Sequence, residues 1–134
     1  MIDVYDRVFG IVYRAAVGTG LNPVVLDAYT PSTPSFPCVT VQEIDNSSVV
    51  RTIGTRDTEN FARLSYQIEV YSNAGEGRRT ECRKIMGAIS DALIASNFER
   101  ELMYATPNYA DATVYRLTAR FRVIADAKNN TYRR

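Results

Sequence analysis

Histidine is absent from the 134 residues, which removes the commonest general base and the commonest zinc ligand together. The side chains left for chemistry are two cysteines and a few carboxylate pairs. Cys82 falls where apolar residues recur every three or four positions, a place for an inert packing thiol rather than a nucleophile. Cys38 lies on a separate element, and two such cysteines cannot close a zinc site on their own. The opening residues have neither a basic leader nor an unbroken apolar stretch before a small-residue cleavage site, so no secretory signal is expected. Both thiols are therefore expected to be free in a reducing cytoplasm. Asp57 with Glu59, and Glu99 with Glu101, stand in polar segments where neither burial nor a positive clamp would separate their pKa values. Gly75, Glu76 and Gly77 precede a helical pattern, and backbone amides there could cradle an anion. Glu76 opposes a phosphate, however, and a plain turn accounts for the glycines. No phosphate-binding loop, nucleophile elbow or dinucleotide fingerprint is present. The expectation is a protein that is not an enzyme and carries no cofactor and no metal.

The elements that would position these groups centre on residues 63–95. Leu64, Tyr66, Ile68 and Val70 alternate with Arg63, Ser65, Gln67, Glu69 and Tyr71, the pattern of a half-buried strand. After a connector containing Asn73, Gly75 and Gly77, the residues Cys82, Ile85, Met86, Ile89, Leu93 and Ile94 form one helical stripe. A strand that feeds a helix back over its own sheet is the expected nucleus. Before it, residues 2–17 read as an amphipathic helix with Tyr5, Val8, Phe9, Val12 and Ala16 on one face and Gly18 and Gly20 at its exit. Residues 23–29 read as a short edge strand. The proline-bearing residues 30–37 form a loop into a strand at 38–44.

The segment 45–60 is polar for its length, reads as a long projecting loop with a short strand at 49–53, and is the first candidate for contact with another subunit. Residues 101–105 read as a strand and 107–111 as a turn. In the last strand Tyr115, Leu117, Ala119, Phe121 and Val123 face one way, and Arg116, Thr118, Arg120 and Arg122 the other. Those arginines either pair with Glu69 and similar neighbours, wait for a partner subunit, or pass near DNA. Residues 126–134 read as a flexible C-terminal tail behind a core of 1–125, the whole forming a single domain.

A hydrophobic fraction of 46% with 23% charged residues suits an ordinary globule and argues against wholesale disorder. The formal net charge of +1 gives no bulk electrostatic reason to grip nucleic acid or an anionic membrane. No apolar run approaches the roughly 20 residues of a membrane span, so no membrane partner is expected.

Taken in order, the chain resembles the phage tail terminator (tail completion, head-tail joining) proteins. The likeness rests on the amphipathic first helix, the run Phe36-Pro37-Cys38-Val39-Thr40-Val41-Gln42, and the long polar loop. It continues through a strand closing in Val70, Tyr71 and Ser72, a glycine-containing turn, and a helix whose end carries Ile89 to Ile94 with Asn97 and Phe98 just after. A long terminal strand with Ile124, Ala125 and Asp126 completes it. The resemblance implies an α+β fold, two α-helices packed on one face of a mostly antiparallel β-sheet. It implies a virion structural protein of the tail or neck, assembled in the host cytoplasm, that caps the tail tube as an oligomeric, hexameric ring. Its partners would be itself, the tail tube protein and the head-tail connector protein, with DNA passing transiently through the bore. The alternatives are another head-tail joining or neck protein, or a small-ligand binding module using the space between helices and sheet. The residues expected at subunit contacts are Arg51, Arg56 and Asp57 on the long loop, which suits ordering on assembly, and Arg63, Glu69, Arg116, Arg120 and Arg122 on a sheet face too charged to be a second core.

Overall fold

A computed structural model describes residues 1–27, 35–49, 60–107 and 113–133. Helix α1 runs Tyr5–Val17, strand β1 Val24–Leu26, β2 Cys38–Ser48, β3 Phe61–Ser72, helix α2 Arg78–Ala95, β4 Glu99–Thr106, β5 Tyr115–Asp126 and β6 Thr131–Tyr132. The strands make one sheet in the order β1-β2-β3-β5-β4, with β6 pairing beside the end of β5. Only β1 and β2 are parallel; the other pairings are antiparallel. This is the α+β fold expected, with a mostly antiparallel sheet.

The face toward the helices follows the alternation. Leu64, Tyr66, Ile68 and Val70 of β3 are fully buried, as are Val39 and Val41 of β2 and Ala119 and Phe121 of β5. They form one cluster with Val8, Val12 and Ala16 of α1 and with Cys82, Ile85, Met86, Ile89 and Leu93 of α2. Burying each large side chain of this kind contributes about 1.5–3 kcal/mol before chain entropy is subtracted. Ile94, expected on the same stripe, is instead 37% exposed. It is adjacent to Leu93, and a helical turn of about 100° per residue carries it past the edge of the buried face.

Helix α1 begins later than expected. Asp3 accepts a hydrogen bond from the Tyr5 backbone N–H at 2.9 Å, while Ile2 and Val4 are buried ahead of the first turn. Of the two exit glycines, only Gly20 takes a left-handed conformation, with φ +77°. Gly77, φ +74°, caps the start of helix α2, and Ser72 ties its first turn to β3 by donating to Glu81 at 2.7 Å. It ends where Asn97 turns left-handed at φ +72° and the Phe98 N–H returns to the Leu93 carbonyl at 3.0 Å, the hydrogen-bonded stop typical of helix C-termini.

Two boundaries differ from the sequence reading. Residues 45–48, expected in the long loop, belong to β2 and pair with β3 as far as Ala62, past an irregularity between Glu43 and Asp45. Their polarity is compatible with a strand because it lies at the sheet end, where Asn46 donates to the Ile2 carbonyl at 2.9 Å and Ser47 to Asp45 at 2.6 Å. Residues 50–59, which hold most of that expected loop and of its short strand, lie outside the described residues, as do most of the 30–37 and 107–111 segments. The C-terminal stretch expected as a free tail is instead a hairpin as far as it is described. Thr131 pairs with Ala125 and Tyr132 with Ile124. Thr131 also donates to the Ser96 carbonyl at 2.9 Å, and its own carbonyl accepts from Asn97 at 3.0 Å. Hydrogen bonding rather than apolar periodicity holds it, so hydrophobic patterning could not reveal it.

Candidate assembly surface

The sheet face turned away from the helices carries the candidate residues, and it divides into two ends. At one end Cys38, Tyr71 and Val114 form a small buried cluster with Leu26 and Phe36 against it. The expectation that this face is too charged for any second core therefore fails at this end, where Tyr71 and Cys38 are paired neighbours on β3 and β2.

Next to that cluster lies Glu69, 3% exposed. Its carboxylate accepts from the Tyr71 hydroxyl at 2.9 Å, the Thr118 hydroxyl at 3.1 Å and the Arg116 Nε at 2.9 Å, and Arg116 closes an ion pair on it. Because the Thr118 proton points to Glu69, the 2.6 Å contact between Thr106 and Thr118 has Thr106 as donor. Arg116 also lies over the Tyr71 ring, 5.7 Å from its centroid. The Arg116–Glu69 pair is diagonal across β5 and β3, since Glu69 is directly opposite Thr118. The cross-strand pairing expected between the arginine face and Glu69 is thus present, and it holds Glu69 and Arg116 within the subunit.

The other end is open. Asp45, Arg63, Ser65, Glu99, Glu101 and Arg122 line a cleft of about 230 Å³ over β3, β5 and β4. Arg122 pairs with Glu99 at 3.0 Å, the two side chains 41% and 42% exposed. Arg63 is exposed. Between the two ends stands Arg120, opposite Gln67 on β3 and Leu102 on β4. Its terminal nitrogen reaches Gln67 Oε1 only at 3.5 Å, and its Nε is buried with no acceptor. A buried N–H left this way costs about 1–3 kcal/mol. Of the expected contact residues, then, the fold brings Arg63, Arg120 and Arg122 to the open half and holds Glu69 and Arg116 inside. Arg51, Arg56 and Asp57 lie outside the described residues.

The arrangement offers little for catalysis. Among the described residues no three Cys, Asp or Glu side chains gather as a metal site. Both cysteines are free and buried on opposite sides of the sheet. Burial pushes the Cys38 thiol up to about 11, and burial with the neighbouring Glu81 charge pushes Cys82 up to about 12, so neither is a thiolate at neutral pH. No described helix is long and apolar enough to cross a membrane. The cleft carboxylates that sequence reasoning left out of the contact residues are Asp45, Glu99 and Glu101; strand alternation could not place Asp45 or Glu101, because the register shifts beside each of them.

A family model described as "Tail completion protein gp17" matches residues 12–128. No curated protein matches the chain.

Proposed function

The chain belongs to the tail completion protein gp17 family, a structural component of the phage tail, and from that premise we propose that it closes the end of the tail tube as a ring of identical subunits. By the same resemblance the ring is six-membered, lets DNA pass, and docks to the tube on one side and to the head-tail connector on the other. The observation that carries this reading is the divided far face of the sheet. One half is satisfied within the subunit, while Arg63 and the exposed Arg122–Glu99 pair line an open, charged cleft and Arg120 stands at its border. Ion pairs this exposed contribute at most about 1 kcal/mol to a subunit's own stability, but they set register and orientation between subunits.

A ring requires a heterologous contact, in which two different patches of the subunit meet and the rotation closes. The helical side and the open strand face supply two different patches. A small-ligand module lodged between helices and sheet has less support, because that space is filled by Tyr66, Ile68, Ile85, Met86 and Ile89. Electron microscopy of tails assembled with and without the protein tests the reading. Tails of abnormal length, or tubes with unfinished ends that fail to join heads, are expected in its absence. Tails of normal length that join heads without it would overturn the proposal.

A further inference from the structure

The three arginines of the β5 face are not equivalent. Arg116 and Arg122 each have a carboxylate within the chain, Glu69 and Glu99 respectively. Arg120, between them, has only the neutral amide oxygen of Gln67, at the 3.5 Å limit of a hydrogen bond, and a buried Nε without an acceptor. Gln67 in turn directs its own amide toward Glu69 at 3.5 Å. A guanidinium offers five donors in a planar fork, and here the fork is partly stripped of water and left without a counter-charge of its own.

We propose that Arg120 is held ready for a carboxylate of a second copy of this chain, so that the pair forms on assembly rather than on folding. This rests on the ring reading and deepens it by naming the chemistry of one contact. The chain can supply the acid itself: Asp6, Glu76 and Asp91 are exposed and make no ion pair among the described residues. In a head-to-tail contact the acid and the arginine sit on different patches of the same subunit, so every interface in the ring is equivalent. Arg120 leaves Gln67 and meets the incoming carboxylate through two nitrogens, which fixes direction as well as distance.

The test measures assembly state by light scattering across a concentration series, and unfolding by urea, for the full chain and its variants. Arg120→Met is expected to unfold at the wild-type midpoint or above it, since no internal pair is broken. It should need about 30-fold more protein to assemble. Arg120→Lys, which keeps charge but loses the fork, should fall between, and gives a reading should Arg120→Met fold poorly. Arg120→Glu should not assemble, and one of Asp6→Lys, Glu76→Lys or Asp91→Lys should restore it. Assembly of Arg120→Met and Arg120→Glu at the wild-type concentration, or restoration by none of the three reversals, overturns the inference while leaving the ring intact. A wild-type chain that never assembles, alone or on purified tail tubes, overturns the ring itself and this contact with it.

Discussion

Glu69 is a carboxylate that folding has already used. It sits between β2 and β5 with Tyr71, Thr118 and Arg116 all donating to it, and at 3% exposure no water replaces a lost partner. Removing one member of a buried pair leaves the other uncompensated, so Glu69→Ala is expected to destabilise the chain by about 3–5 kcal/mol. Arg122→Ala, which breaks a pair about 40% exposed on both sides, should cost less than about 1 kcal/mol. Urea denaturation of the two variants decides the matter, and equal losses would show that burial does not separate the two pairs. That Glu69 faced the arginines was legible from strand alternation alone. Which arginine would take it was not, because the choice follows from the β3–β5 register, and register depends on where the intervening chain lets β5 enter.

At the scale of elements, the hairpin at residues 126–132 is where the sequence was least readable. It has no apolar period; its order comes from Asp126, which accepts from the backbone N–H groups of Lys128 and Asn130 at 2.9 Å each and from the Tyr132 hydroxyl at 2.9 Å. Desolvation by itself raises the Asp126 carboxyl, but these bonds outweigh it and hold the group below its ordinary value. A carboxyl lowered in the folded state stabilises above the unfolded pKa of about 3.9 and loses that contribution as pH falls through the folded value. Acidification through that lowered value, beneath the ordinary carboxyl range, should therefore release the Lys128 and Asn130 amides, followed by NMR, and Asp126→Asn should release them at neutral pH. Amides that stay protected in both cases would show that Asp126 does not hold the turn. By contrast, α1, β3, α2 and β5 were legible because each buries one face, and burial writes a period into the chain. β2 was read four residues short because residues 45–48 are all polar, so no apolar alternation marks them as strand.

For the molecule as a whole, both helices and the sheet share one apolar cluster, so damage to it is not expected to stay local. Ile89→Ala, at a fully buried position, should cost about 2–5 kcal/mol. The loss should appear as a single shifted transition by circular dichroism and by tyrosine fluorescence together, whereas separate transitions for the two probes would mean that α2 loosens independently. The candidate surface was legible only in part. Alternation exposed the charged face, but the cluster of Cys38, Tyr71 and Val114 at one end depends on segments distant in sequence folding over it, and no local pattern carries that information.

The sheet order has one further outcome. Helix α2 carries the chain from β3 to β4, yet those strands are not neighbours; β5 lies between them. Until residues 115–126 are made, the edges of β3 and β4 that β5 joins have no strand partner within the chain. A chain that ends before residue 115 is therefore expected to aggregate more readily than one that includes β5.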